Sequence, residues 1–289
     1  MYYEKQYLEI KSWISEVEGK ILFCSGAFGD LFIGIDAALK NNLPIIYWSK
    51  PATHEISLKF LEAFKMKYHV VDTGKEIWRD SNTCEFSNKI KDLLTNKGFR
   101  THGNNKCNLP FIGFNPDVLC EKYNSFKEFK LNLPKNYALI CPCGSTVSNI
   151  SKRFFTNDEI EKITTILLNK NIEPVIVGSD RQLQSYDKRK KFKWLQFEKF
   201  ENQKITVGHF VEAIRSCMFA LSPDTSLKSL SAAMHVPTFV LKNRNSSNIF
   251  VKGSWDYIFL DKNKWKTLEV FTFSELINKL NKFYPLKMI

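Results

Sequence analysis

Three short stretches of this chain, two of them with glycine, carry carboxylate, hydroxyl or amino side chains at spacings that suit chemistry on a phosphorylated substrate. The first is Ser25-Gly26-Ala27-Phe28-Gly29-Asp30-Leu31. Two glycines this close let a backbone turn sharply and approach a ligand. Asp30, directly after them, either caps the following helix or faces a substrate as a general base, taking the proton from an attacking hydroxyl. The spacing is G-x-x-G-D, not the three-glycine G-x-G-x-x-G of dinucleotide-binding folds.

The second stretch is Pro142-Cys143-Gly144-Ser145-Thr146, followed by Lys152-Arg153-Phe154-Phe155. Amides and hydroxyls at Gly144, Ser145 and Thr146 can cradle diphosphate oxygens, and Lys152 can offset charge on a leaving group. The Lys152-Arg153 pair also reads as plain solvated charge. The third is Ser222-Pro223-Asp224-Thr225-Ser226-Leu227-Lys228. Asp224, Thr225 and Ser226 stand where a helix begins, and the free amides of a helix N-terminus bind anions. Lys228 in the first turn opposes the helix dipole, which a bound anion would offset. The plainer reading makes Asp224 or Thr225 an N-cap.

These stretches need strands and helices to bring them together. Short β-branched and aromatic runs alternate with longer segments of helical period, the pattern of βα units on a parallel sheet. Strands are expected at 20–25, 44–48 and 68–72, with helices at 31–41 and 56–66 between them. From 73 to 135 the pattern fades. It restarts with strands at 137–142, 174–178, 219–222 and 237–241 and helices at 157–169, 207–217 and 226–234. The expected organisation is a Rossmann-like unit over 1–134, a second over 135–272, and a closing helix in 273–289, with the Asn132 to Asn136 break as linker.

Composition narrows the function classes. The chain has 289 residues, 44% apolar and 25% charged, an ordinary globular composition with room for two cores. The N-terminal residues are charged throughout, and no apolar run approaches the roughly 18 to 20 residues that span a bilayer. A cytoplasmic protein with at most peripheral membrane contact is expected. The seven cysteines show neither a CxxC pair nor a recognised zinc spacing, so reduced thiols and no metal site are expected. The net charge is +12, of which +9 falls after residue 135. Such an excess implies an acidic partner.

In order and spacing, the three motifs resemble those of glycosyltransferase family 9, the heptosyltransferase-like group: Phe28-Gly29-Asp30, then Pro142-Cys143-Gly144-Ser145 with Lys152-Arg153-Phe154, then Ser222-Pro223-Asp224-Thr225-Ser226. The resemblance implies the GT-B architecture, two Rossmann-like α/β domains facing a cleft. It also implies metal-independent, inverting transfer from a nucleoside-diphosphate sugar acting as co-substrate, with no other cofactor. Asp30 then matches the general base, with Gly26, Phe28 and Gly29 as an acceptor-side loop. Lys152 matches a phosphate contact, and Asp224 with Thr225 the donor-binding helix start. Ser226 replaces the family's usual glycine and Ser229 a common histidine, so the donor need not be ADP-heptose and Lys228 is a candidate to supply the missing charge.

The acceptor expected is a lipopolysaccharide-type or other surface glycan. An alternative acceptor is a hydroxylated base in DNA, for which the basic run 188–193 and neighbouring Trp194 supply cations beside an aromatic. A non-catalytic nucleotide-sugar-binding protein and a sugar-nucleotide epimerase remain as further readings. None of the five histidines is assigned a catalytic role.

Overall fold

Ile45-Ile46-Tyr47-Trp48-Ser49 is buried at every position, as a strand must be when helices cover both faces of a parallel sheet. It is the central strand of the first of two units. In the computed structural model the described residues are 2–25, 28–49, 54–72, 81–95, 97, 125–144, 154–179, 192–223, 225–241 and 267–282. Those up to 97 belong to one unit and those from 125 onward to the other.

The first unit runs α1 (Tyr2–Ser15), β1 (Leu22–Ser25), α2 (Phe28–Lys40), β2 (Ile45–Ser49), α3 (His54–Ala63), β3 (Tyr68–Asp72) and α4 (Ser81–Thr95). Its sheet has the order β1-β2-β3, with both pairings parallel. Side chains alternate between the faces. Phe23, Ile46, Trp48 and Val71 pack against Ile10 and Ile14 of α1 and Phe86, Ile90 and Leu94 of α4. Helix α1 was not expected from the charged N-terminus. It carries Ile10 and Ile14 four residues apart, which puts both on one buried stripe.

On the other face α2 lies very close to the sheet. A Cβ built on Gly34 would stand 2.9 Å from Cys24 Sγ and 3.2 Å from Ile45 Cδ1. Gly34→Ala is therefore expected to push α2 off the sheet at a cost of about 1 to 3 kcal/mol, read as a lower urea midpoint. Phe28, Phe32 and Phe60 close this side as a ring cluster, with centroids 4.4 to 5.1 Å apart. Helix α2 also holds a buried ion pair, Lys40 Nζ to Asp36 Oδ2 at 2.8 Å, with both side chains at most 1% exposed.

The second unit runs β4 (Tyr137–Ile140), α5 (Asn157–Leu168), β5 (Glu173–Val177), β6 (Lys193–Gln196), β7 (Lys199–Phe200), β8 (Gln203–Lys204), α6 (Val207–Arg215), β9 (Phe219–Pro223), α7 (Ser226–Ala233), β10 (Thr238–Leu241), β11 (Thr267–Val270) and α8 (Phe273–Lys282). The strand order is β11-β10-β9-β4-β5-β6-β7-β8. All pairings from β11 to β6 are parallel, and β6-β7-β8 is an antiparallel meander. Helix α5 starts where a capping box fixes it, Thr156 accepting from Glu159 N and Glu159 from Thr156 N.

Three features sharpen the expected organisation. Phe126 and Phe129 belong with the second unit, and Phe129 fills the space where Gly208 of α6 lacks a Cβ. Helix α8 puts Leu276, Ile277 and Leu280 into that unit's core. The basic run 188–193 meets the structure at its end: Lys193 opens β6, and Phe192 and Trp194 pack against the core. The aromatics beside the run are thereby committed to packing, while residues 188–191 lie outside the described set.

Candidate functional site

Strand β4 marks the point where the second sheet reverses its winding. From β4 the chain goes through α5 to β5 on one side, and it later returns at β9 on the other. In an open α/β sheet the loops at such a point diverge and leave a crevice beyond the carboxyl ends of the two strands, where ligands bind.

Here that edge is built by Cys141 to Gly144 after β4 and by Ser222 and Pro223 at the end of β9, all buried. Cys141 N donates to Leu221 O at 2.9 Å and prolongs the pairing of the strands. Phe155 N donates to Pro142 O at 2.8 Å, and Cys143 and Phe154 form an antiparallel bridge. The chain that leaves at Gly144 is thus brought back to the same edge at Phe154. Ser145, Thr146, Lys152 and Arg153 lie on the connection between these two anchors. They are outside the described residues, as is Asp224.

Two hydroxyls at this edge stand out. Among the described residues Ser222 Oγ, on a residue 0% exposed, is buried without a hydrogen-bond partner, and Thr225 Oγ1, also buried, has no partner other than the Cys141 thiol beside it. Leaving a group such as the Ser222 hydroxyl unsatisfied costs about 1 to 3 kcal/mol, so its presence in a native fold calls for a ligand or water to complete it. The Thr225 hydroxyl also lies near the Cys141 thiol and slightly favours its ionised form, but burial dominates and pushes that thiol up to about 12. Cys141 is therefore a neutral thiol, directed onto Cys143 O at 3.3 Å, and not a nucleophile.

Thr225 and Ser226 lead into α7, whose free amides open onto the same edge. The helix is held in place from below. Ser231 Oγ donates to Leu227 O at 2.7 Å and lies 2.9 Å from Thr238 Oγ1, which itself donates to Val236 O at 2.8 Å. Lys228, the third residue of α7, is only 3% exposed and already interacts within the protein. Its charge is buried close to the start of the helix.

In the first unit, α2 begins at Phe28, three residues earlier than expected. Asp30 consequently falls inside the first turn, not at the cap, and its side chain lies outside the described set, as do Gly26 and Ala27. Phe28 and Gly29 are helical and not part of a loop, and Phe28 is a core residue at 8% exposure. The residue that sequence reasoning passed over is His54. It begins α3 just beyond the carboxyl end of β2, and its Nδ1 lies 2.7 Å from Ser49 Oγ. The only sequence signal was a serine and a histidine five positions apart across a predicted strand end.

Among the described residues no group of His, Cys, Asp and Glu has the arrangement of a metal site. No helix among them is long and apolar enough to cross a membrane.

Comparison with solved structures aligns the Escherichia coli ADP-heptose lipopolysaccharide heptosyltransferase II over 91% of this chain and 98% of its own, with a TM-score of 0.51 and 12% identity. The chain has the GT-B fold. The glycosyl transferase family 9 structure from Veillonella parvula aligns over 92% of each chain with a TM-score of 0.46 and 10% identity. The UDP-GlcNAc 2-epimerase of Methanocaldococcus jannaschii aligns over 99% of this chain and 76% of its own, with a TM-score of 0.38 and 12% identity. No protein-family model and no curated protein matches the sequence. Within the GT-B fold, the arrangement at the ends of β4 and β9 can donate hydrogen bonds to an anion from two hydroxyls and from the amides opening α7.

Proposed function

We propose that the chain is a glycosyltransferase that moves a sugar from a nucleoside-diphosphate donor to an acceptor hydroxyl, without a metal and with inversion at the anomeric carbon. The observation that carries this reading is the buried Ser222 hydroxyl, unpartnered among the described residues, with the buried Thr225 hydroxyl near it, beside a helix N-terminus at the winding reversal of a parallel sheet. In this reading the donor diphosphate accepts from those hydroxyls, from the amides of Thr225 and Ser226, and from Gly144, Ser145 and Thr146. Lys152 neutralises the leaving diphosphate, and Asp224 fixes the donor sugar or the helix start. Asp30 accepts the proton of the acceptor hydroxyl as its oxygen bonds to the anomeric carbon and the diphosphate departs.

The acceptor in this reading is a surface glycan or glycolipid reached at the inner face of a membrane, and the net charge of +12, with its excess after residue 135 in the donor-binding unit, suits the anionic donor. A DNA acceptor is less favoured because Phe192 and Trp194 are committed to the core. A purely binding role would keep the donor site but need no base.

Ser222→Ala separates a ligand hydroxyl from a structural one. Removing a buried hydroxyl that has no partner leaves the empty protein as stable as before or more so. It should weaken binding of the nucleoside diphosphate by about 1 to 3 kcal/mol. Isothermal titration calorimetry and thermal unfolding of the same variant check both halves. A variant that unfolds more easily yet binds normally would show that Ser222 serves the fold alone.

A further inference from the structure

The first unit carries a cavity of about 270 Å³ that the reaction as described leaves unused. It lies between α1 and α4 and is lined by Tyr3, Glu4, Tyr7, Glu85, Phe86 and Lys89. Helical spacing gathers them: Tyr3 and Tyr7 stand one turn apart on α1, and Glu85 and Lys89 one turn apart on α4. Phe86, at 3% exposure, is the floor. The Tyr3 ring packs on it at a centroid distance of 5.1 Å, and both tyrosines are half-buried. Glu4, Glu85 and Lys89 are exposed at the rim. Lys89 Nζ lies 3.0 Å from Glu85 Oε1, and this hydrogen bond, with the Glu4 carboxylate and the Tyr7 hydroxyl nearby, holds the ammonium above its ordinary pKa.

The fold also defines which end of the sheet the cavity is on. Helix α1 precedes β1 and α4 follows β3, and both cover the same face of the sheet. Each therefore begins near the carboxyl ends of the strands and runs back along them. Two ring contacts fix this direction. Phe86, early in α4, packs at 5.2 Å on Trp48, the last residue but one of β2. Trp13, late in α1, lies 5.8 Å from His69, the second residue of β3. The early halves of both helices, with the cavity between them, thus lie toward the carboxyl edge of the sheet, the edge at which α/β folds bind ligands.

The lining selects one kind of ligand. Aromatic rings take up an apolar face, carboxylates only accept hydrogen bonds, and an ammonium only donates them. An anion is repelled by the two carboxylates, and a cation finds its place taken by Lys89. A neutral ring with an apolar face and a rim of hydroxyls, each able to donate and to accept, satisfies all of these groups. The volume falls just below the roughly 300 to 1,000 Å³ of ordinary ligand pockets, which suits a single ring. We propose that the cavity between α1 and α4 binds one neutral sugar ring of a glycan chain, packed against Tyr3 and Tyr7, with its hydroxyls donating to Glu4 and Glu85 and accepting from Lys89. Its role as a remote subsite for the acceptor rests on the transferase reading above: a glycan held there is steadied at the edge where its terminal hydroxyl is to react.

The test titrates the full chain, labelled with nitrogen-15, with maltotriose, chitotriose and mannotriose in turn and follows proton–nitrogen correlation spectra. At least one trisaccharide should shift the amide signals of Tyr3, Tyr7, Glu85 and Lys89 to saturation. Tyr7→Ala should weaken that binding about fivefold or more. Tyr7→Phe keeps the ring and should keep most of the affinity, which separates contact with the sugar from loss of the hydroxyl. Glu4→Gln combined with Glu85→Gln changes only exposed groups, leaves the fold intact and should weaken binding about threefold or more. No saturable shift with any of the three, or an affinity that the double glutamine variant leaves unchanged, overturns the proposal. Saturation by N-acetylarginine amide and by no trisaccharide would make the cavity a cation site and overturn it as well. Nucleoside-diphosphate binding by the same variants should be unchanged. A chain that binds a trisaccharide here but no nucleoside diphosphate would keep the sugar site and lose the acceptor role together with the transferase reading.

Discussion

Asp30→Ala is expected to slow sugar transfer by about 10²- to 10⁴-fold, the usual worth of a positioned general base, while binding of the nucleoside diphosphate is unchanged. An acceptor hydroxyl is a poor nucleophile until its proton is taken, and the proton must pass to a group that is correctly placed when the anomeric carbon is attacked. The backbone of Asp30 is well fixed for this. It lies in the first turn of α2, a helix pressed against β1 and β2 through Gly34 and locked at its start by the Phe28, Phe32 and Phe60 rings. Asp30→Asn preserves the shape and removes the proton acceptor, so it should lose nearly as much activity as Asp30→Ala. Steady-state kinetics with the donor and nucleotide titrations on the same preparations check this. Turnover that survives both substitutions would mean that another group takes the proton.

The largest effect on stability is expected one turn and a half further along the same helix. Asp36→Ala should destabilise the first unit by about 3 to 5 kcal/mol, because it removes the carboxylate that balances the buried charge of Lys40. The two groups are 2.8 Å apart and essentially unexposed, so neither can turn to water when its partner is lost. Replacing both, Asp36→Leu with Lys40→Met, removes the buried charges together and is expected to be close to neutral or mildly stabilising. Chemical denaturation of the single and double variants gives the comparison. A single variant that costs less than about 1 kcal/mol would place this pair with solvent-screened surface bridges.

A milder pH effect comes from the same unit. Burial holds the His69 imidazole below its ordinary value of 6.5, with Glu9 pulling weakly the other way. The unfolded chain then binds the extra proton first, so this residue's contribution to stability is complete above about 6.5 and declines as the pH falls through that value.

The sequence made the repeated units legible wherever burial and period agree. Ile45–Ser49 and Phe219–Pro223 are short runs buried at every position, as strands in a βα rhythm are when both faces are covered. Helix α1 was hidden because charge at many positions masks a narrow apolar stripe, and α4 because polar residues separate Phe86, Ile90 and Leu94, the residues it buries in the core, with Leu93 packed beside them. The meander β6-β7-β8 was missed since strands of two to four residues carry almost no periodic signal. At the site, the motif containing Ser222 and Thr225 was visible as a strand running into a helix. What composition and spacing cannot show is which hydroxyls lack partners, because that depends on neighbours distant in the chain. The buried bond from Ser49 Oγ to Val71 O is of the same kind, since it spans 22 residues.

The central claim is that a nucleoside diphosphate binds at the carboxyl ends of β4 and β9. Its most direct test is thermal unfolding of the full chain against a panel of nucleoside diphosphates, repeated with Ser222→Ala combined with Thr225→Ala. One diphosphate should stabilise the protein by about 2.7 kcal/mol at a hundredfold excess over its Kd, and the double substitution should abolish most of that gain at the same ligand concentration. No stabilisation by any member of the panel, or stabilisation that the double substitution leaves intact, would contradict the assignment of this edge as the donor site.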